Sequence, residues 1–572
     1  MQESKSNSQT KAEILKFGKP IASLVSDLWF FLNQKREEWL PQELNYFVGI
    51  VQEIKTEKRL FISCKKACIS NYDVFDLQHP TARNKNLLKS QEILWDYLNL
   101  SFGLTQAKEK IKYEKTNKSN VKKNIPKYFQ IDYGRALRKY QEDAIIHRKL
   151  QITCPFSGRQ IESTHSFPLE SSIFYRFESQ KTFYLISFVV SHGYWLDSLY
   201  LPNKNIFINS YAQSIALQKK LSNYTNNIKL NLILYLDELS KYLLVKNTKK
   251  VVVYLGNSNF SHHLANEIEA FSRFTEKSLI DKIDEFWMVR EPLGRIDTIY
   301  PEISANIVKR IANANVLAKV FDEQAFVIKV GDKYVSDTLR KRVHKAALQN
   351  CQPRIIELAS QARKSCLPLL WISIRLVNRT CTNHVDAFSQ IILRLLREYP
   401  QLGVVFDGFS LPVDFFENNQ YQTFDYSEEN INNINKVVEE VSTNVKRERP
   451  SLKIFNTTGC SLYESIIWAH VVDFYLCHHG TIQHKIGWLT NKPGVVHSNQ
   501  ETLSRPSYPE AKGSWINCKD AVYLSEEDVI EDRTPDLYKN DNRKNLQNYY
   551  LKWERAYEEL FKVSLLPLRD EY

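Results

Sequence analysis

Three short segments of this 572-residue chain bring together side chains that can do chemistry. The densest is Leu476 to Ser498, LCHHGTIQHKIGWLTNKPGVVHS. Its pattern predicts a buried strand ending at Cys477, a turn made by two histidines and Gly480, and a helix that starts at once. The first N–H groups of such a helix have no partner within it, and the helix dipole adds partial positive charge. The N–H groups of Thr481, Ile482 and Gln483 can therefore hold a phosphate. Gly480 lets a ligand approach the backbone, the Thr481 hydroxyl adds a donor, and His478 or His479 adds a third contact. The competing expectation is an ordinary strand-to-helix joint.

The second segment is VVVYLGNSNFSHHLANEIEAF, Val251 to Phe271: a strand, a turn at Gly256, then His262 and His263 at the start of a helix. An imidazole titrating near neutral pH is suited to take the proton of a hydroxyl. Glu267, one turn beyond His263, is placed to orient that ring, to act as the base itself, or to stand as an exposed helix carboxylate. The two adjacent histidines lack a third ligand at helical spacing, so no metal site is expected. The third segment is WISIRLVNRT, Trp371 to Thr380. Arg375 interrupts an apolar strand and Arg379 follows in its loop, and guanidinium forks match phosphate oxygens. The alternative for Arg375 is a pairing with an acid such as Asp407. That aspartate, in FDG, is expected to contact a ribose or to cap its turn with Gly408.

The order strand, His-Gly, helix, Lys-Pro-Gly loop, strand resembles the donor-binding region of GT-B glycosyltransferases. The resemblance extends over Lys249 to Phe561 in organisation, but in motif only over Leu476 to Ser498. It implies that His479, Gly480, Thr481 and the loop from Asn491 to Gly494 hold the diphosphate and sugar of a nucleotide-sugar. The chain departs from the pattern where many members carry a second glycine and an acidic residue for the ribose: here stand Thr481 and, at the helical turn, His484 and Lys485. By the same resemblance His263 is the first choice for general base and His262 the second. No Asp-x-Asp pair of the metal-dependent type occurs in the chain, so neither metal nor other cofactor is expected.

What the resemblance implies is a glycosyltransferase that moves a sugar from a nucleotide-sugar donor to a glycan or lipid-linked hydroxyl acceptor in bacterial polysaccharide assembly. A nucleotide-sugar epimerase of similar fold and a non-enzymatic polybasic interaction protein remain the alternatives. The polar start MQESKSNSQTK lacks the apolar stretch of a secretory signal, so a cytoplasmic protein is expected, with room for peripheral contact at the anionic inner face of the membrane. The longest apolar run, Phe183 to Leu201, is broken by Ser187, Ser191, His192 and Asp197, which excludes a spanning helix. The excess of 77 basic over 65 acidic residues, +12, does not by itself select a partner, and nucleic acid is not expected.

These residues need elements to hold them. With 43% hydrophobic and 25% charged residues the composition is globular, and nine cysteines without paired C-x-x-C spacing exclude a disulfide scaffold or zinc finger. The expected order is an N-terminal mainly helical region at 1–107, a basic linker at 108–127, and a small β-rich unit at 128–215. Two Rossmann-like α/β domains follow, one for the acceptor at 216–364 and one for the donor at 365–540, with a C-terminal helix at 541–572. The last amphipathic stretch, Asn542 to Phe561, is expected to pack back across the first α/β domain. Two such domains imply a cleft with ligands at the carboxyl ends of strands, so the site belongs in the loops after strands.

Overall fold

The structure, a computed structural model, describes residues 74–76 and, with gaps of which 210–234, 505–516 and 533–545 are the longest, residues 139–566. The helical region and the basic linker fall outside the described residues, save for strand β1 (Val74–Asp76). By compactness the chain divides into two units.

The first unit runs to Leu255 and takes in Ser278–Val289 and Lys309–Val330. Strands β2 (Leu150–Thr153) and β3 (Gln160–Ser163) form a hairpin. Strands β4 (Ser166–Leu169), β5 (Ser172–Glu178), β6 (Thr182–Phe188), β7 (Trp195–Leu201) and β8 (Ile206–Asn209) form an antiparallel meander, with β1 alongside β8. This is the β-rich unit expected from the short strands and tight turns. A second sheet has the order β11-β10-β9-β12, in which β9 (Lys250–Leu255) pairs in parallel with both β10 (Glu285–Met288) and β12 (Ala325–Ile328). Val251, Val252, Val253 and Leu255 have no exposed surface, because a parallel strand covered on both faces must be an unbroken apolar run. The apolar spacing over Ile303 to Ala318 predicts one helix, which is not formed as such. Val308–Arg310 instead makes β11, as its β-branched neighbourhood favours, and the next described helix is Val316–Asp322.

The β-rich sheet is tied to β12. Ser166 Oγ accepts from the Val327 N–H at 2.6 Å, and the hydroxyl of Tyr242, on helix α1 (Leu236–Leu244), donates to the Ala325 carbonyl at 2.8 Å. Beside this joint Lys249 is 2% exposed; its Nζ donates to the Tyr242 carbonyl at 2.7 Å and lies 3.4 Å from that ring's centroid. Loss of water brings this ammonium down to about 7.

The second unit comprises Gly256–Lys277, Arg290–Val308 and Gly331–Tyr572. It opens with helix α2, which runs as Phe260–His263, a wider π-type turn over Leu264–Ile268, and Glu269–Glu276. Its sheet has the order β15-β14-β13-β16-β17-β18, all parallel: β13 (Leu369–Ser373), β14 (Gly403–Asp407), β15 (Lys453–Asn456), β16 (Phe474–His478), β17 (Gly494–His497) and β18 (Val522–Tyr523). In chain order this is 3-2-1-4-5-6, the doubly wound arrangement, and its direction of build reverses between β13 and β16. Helix α3 (His384–Glu398) buries Phe388, Ile391, Ile392 and Leu395, the stripe its spacing predicts. Asn383 precedes it without capping it through its side chain. That amide is instead spent on the Leu551 backbone, donating to its carbonyl at 3.0 Å and accepting from its N–H at 2.8 Å.

Helix α4 (Glu428–Glu448) adds a second apolar stripe, and α5 (Leu462–Val471) starts in a complete capping box between Ser461 and Glu464. Helix α6 begins as Thr481–His484 and continues in a π-type turn over Lys485–Leu489. The last helix, α7 (Trp553–Ser564), inserts Ala556, Leu560 and Val563 into the core beneath α3, rather than returning to the first α/β sheet. It starts later than its amphipathic pattern suggests because Tyr549–Leu551 is taken up as strand β20, antiparallel to β19 (Val529–Glu531). A helix at Pro353–Ser365, not expected from the apolar pattern, is announced by a proline in its first turn.

The Lys249 site gives a pH dependence. Unfolded, the amine titrates near 10.5, so between pH 7 and 10.5 the unfolded chain holds a proton that the folded chain has released. Stability therefore rises with pH across that window, and the charge penalty is fully present below it. Lys249→Met is expected to melt higher than the parent at pH 6, with a lead that shrinks as the melts are repeated toward pH 10.

Candidate active site

Helix α2 carries the second chemical segment. Its first turn is capped by Asn259, whose side chain accepts from the Ser261 N–H at 3.0 Å. His263 is 1% exposed and its Nδ1 lies 2.7 Å from Glu267 Oε2. Glu267 has no exposed surface; its carboxylate also accepts from the backbone N–H of Gly256, at 3.2 Å, and of Asn257, at 3.0 Å. Facing a carboxylate, Nδ1 carries the ring proton, which leaves Nε2 as the lone-pair nitrogen. That Nε2 is buried and has no hydrogen-bond partner among the described residues. Glu267 is thus an internal carboxylate, not the exposed one that helical spacing also allowed. His262, half-buried, turns the other way: its Nδ1 donates to Asn266 Oδ1 at 2.8 Å, and Asn266 Nδ2 in turn donates to the Asp332 carbonyl at 2.9 Å.

The reversal of strand order between β13 and β16 sets the loops after those strands side by side. Gly480 ends the β16 loop at φ +115°, ψ −156°, a backbone region that only glycine enters without strain. A methyl group placed there would lie 3.7 Å from Arg375 Nη1 and 3.8 Å from Arg379 Nη2, so both guanidiniums from the β13 loop flank the start of α6. Arg375 donates to the Asn378 carbonyl at 3.1 Å and to Asn378 Oδ1 at 2.6 Å, and Arg379 Nε reaches the same Oδ1 at 3.4 Å. This neutral amide oxygen helps to orient both guanidiniums. The N–H groups of Thr481 and Ile482, at the first positions of α6, have no intrahelical partner. Finally, Asn259 Nδ2 donates to Thr481 Oγ1 at 2.9 Å, joining the helix of His263 to this turn.

The two histidines before Gly480 divide. His478 is spent inside the fold, with Nδ1 2.7 Å from the His479 carbonyl and Nε2 2.9 Å from the Arg379 carbonyl; burial and the two arginines push it well below its usual range. His479 is 8% exposed and its Nδ1 lies 3.0 Å from the Tyr523 hydroxyl. His484 is buried and stacks on Trp488, ring centroids 3.3 Å apart at 11°. Burial, with His479 and His262 nearby, holds it well below its usual range, and neither ring nitrogen finds a partner among the described residues.

Asp407 corrects the sequence expectation. It has no exposed surface and is bonded to Lys485 Nζ at 2.8 Å, Thr457 Oγ1 at 2.9 Å and Ser465 Oγ at 3.2 Å, so it is not presented to a ribose. The physical reason is Lys485: at 2% exposure an ammonium needs a carboxylate partner, and Asp407 supplies it in place of pairing with Arg375. Sequence reasoning missed Asn259, Asn378, Tyr523 and the loop-binding strand β20. Only Asn259, two residues ahead of Ser261 in an Asn-Ser-Asn run, carried a visible cap signal. Among the described residues no group of three or more His, Cys, Asp or Glu is arranged to hold a metal ion, and no described helix is long and apolar enough to cross a membrane.

No protein-family model matches the sequence, and no curated protein does. Among solved structures the chain is similar to a family 9 glycosyl transferase from Veillonella parvula, at 12% identity and a TM-score of 0.29, over 56% of this chain and 96% of that one. It is similar to the E. coli ADP-heptose lps heptosyltransferase II, at 12% identity and a TM-score of 0.26, over 55% of this chain and 98% of that one. A third is the UDP-GlcNAc 2-epimerase of Methanocaldococcus jannaschii, at 14% identity and a TM-score of 0.22, over 52% of this chain and 71% of that one. The chain itself carries two Rossmann-like α/β sheets in series.

Removing one member of the Asp407–Lys485 pair leaves a buried charge without its partner, which costs about 3–5 kcal/mol. Lys485→Met is expected to lose that much in urea unfolding, and Asp407→Leu in the same chain to recover most of it.

Proposed function

We propose that the chain is a glycosyltransferase that moves a sugar from a nucleotide-sugar to a hydroxyl acceptor, with a glycan or lipid-linked acceptor as the class and no metal required. The observation that carries this reading is the buried His263–Glu267 pair, whose free Nε2 belongs to a helix hydrogen-bonded through Asn259 to the arginine-flanked turn at Gly480. A general base and an anion-binding turn are the two parts such a transfer needs.

In the proposed reaction the acceptor oxygen attacks the anomeric carbon and the bond from that carbon to the diphosphate breaks. His263 Nε2 takes the acceptor proton while Glu267 holds the opposite nitrogen and stabilises the imidazolium. The negative charge that develops on the departing phosphate is met by Arg375, Arg379, the Thr481 and Ile482 N–H groups and the Thr481 hydroxyl. His479 lies next to these groups and supplies a further contact. The printed names of the similar structures, a heptosyltransferase and a UDP-GlcNAc 2-epimerase, belong to this chemistry of nucleotide-linked sugars. The expected setting is the cytoplasm, with peripheral contact to an anionic membrane where the acceptor is lipid-linked.

Incubation with a panel of nucleotide-sugars and acceptors, with and without EDTA, is expected to release free nucleotide in both conditions. Arg375→Ala should weaken nucleotide binding by about tenfold or more, the worth of a charge-assisted hydrogen bond. His263→Ala should lower kcat by about a hundredfold or more. Retained turnover in both His263→Ala and Glu267→Ala would remove the base, and undiminished nucleotide affinity in both Arg375→Ala and His479→Ala would remove the donor site. A sugar-nucleotide converted to its epimer without transfer would replace the reaction with the epimerase alternative.

A further inference from the structure

We infer that Asn259 is a positioning residue that couples donor binding at Thr481 to the orientation of His263, an inference that rests on the donor-site and base roles proposed above. Both ends of its amide are committed. Oδ1 accepts from the Ser261 N–H at 3.0 Å and so caps α2, while Nδ2 donates to Thr481 Oγ1 at 2.9 Å. The Asn259 carbonyl accepts from the His263 N–H itself at 2.9 Å, so the first turn of α2 runs from this residue directly to the base.

The chemistry of the hydroxyl gives the contact its meaning. A threonine oxygen has one hydrogen to give and two lone pairs to offer. With one lone pair taken by Asn259, the hydrogen of Thr481 is directed away from the amide and is available to a phosphoryl oxygen at the Gly480 turn. The same residue therefore pre-aims a donor toward the leaving group and fixes the turn that presents His263. Movement of Thr481 when an anion binds is carried through one side chain into the cap of α2, one helical turn ahead of the imidazole. No other hydrogen bond among those described joins α2 to the Gly480–Thr481 turn.

Asn259→Ser separates the two duties, because serine caps helices about as well as asparagine but has no amide N–H to give Thr481. In this variant the melting temperature and the affinity for UDP, GDP or CMP, whichever binds the parent, are expected to change little. The value of kcat should fall by about tenfold to a hundredfold, the effect of a misplaced catalytic group. The ring-nitrogen NMR signals of His263 should shift on nucleotide addition in the parent and not in the variant. Thr481→Val combined with Asn259→Ser should lower kcat no further than the more damaging single change, since one bond is being broken twice. Additive losses, an unchanged kcat, or a His263 response that survives in Asn259→Ser would overturn the coupling while leaving the donor site in place. Absence of nucleotide binding in the parent would overturn the donor-site reading and the coupling together.

Discussion

The organisation of the candidate site follows from one constraint: Glu267 has no exposed surface, and an ionised carboxylate taken out of water must be met by donors from the protein. They include the N–H groups of Gly256 and Asn257 and the ring of His263. Satisfying the carboxylate fixes the path of the chain from Gly256 to the start of α2. It also selects the tautomer of His263, because the nitrogen facing a carboxylate must carry the proton. The freedom of Nε2 is therefore a consequence of how Glu267, a group with no exposed surface, is satisfied.

The two helices that bear the candidate groups are built alike. Each begins with one α-helical turn, Phe260–His263 in α2 and Thr481–His484 in α6, and then widens into a π-type turn. Such turns interrupt the regular ladder and are found at functional sites more often than elsewhere. In α2 the wide turn contains Glu267, which reaches back to His263 and to the preceding loop. In α6 it contains Lys485, which reaches inward to Asp407 at the end of β14 and to Ser410 at 2.7 Å. A buried pair of this kind contributes little net stability but severely penalises any arrangement in which one partner is left alone. It thereby pins α6, and with it the Gly480 turn, to the sheet.

Much of this was legible in the sequence, for identifiable reasons. Strands β9, β13, β14, β16 and β17 are unbroken apolar runs because they are covered on both faces, and α3 shows its stripe at Phe388, Ile391, Ile392 and Leu395. The glycine after two histidines could be read because φ +115° demands it. The role of Lys485 could not: a lysine on a helix ordinarily points to water, and its burial depends on a carboxylate 78 residues earlier in the chain. The same holds for Asp407, whose FDG setting suggests a turn cap until its buried partners are known. Asn383 is a related case, its cap-like position overridden by the Leu551 backbone, a partner 168 residues away. Local pattern carries secondary structure and turn geometry, whereas long-range polar pairing is settled only when the strands are ordered.

The arginine loop shows how such long-range pairing serves half-buried charges. Arg379 adopts φ +53°, uncommon for a residue with a side chain, and the surrounding structure holds it there. Its N–H donates to the Leu546 carbonyl at 3.2 Å, its carbonyl faces His478 Nε2, and the Thr380 N–H donates to Asn548 Oδ1 at 2.9 Å. The Thr382 N–H then reaches the Tyr549 carbonyl at 2.7 Å, and Asn383 clasps Leu551. The C-terminal segment thus acts as a brace along the whole loop. The brace holds Arg375 and Arg379 where both approach Gly480 and share the Asn378 Oδ1. Held in place, both guanidiniums stay beside the Gly480 turn, in an orientation set by partners more than 160 residues away in the chain.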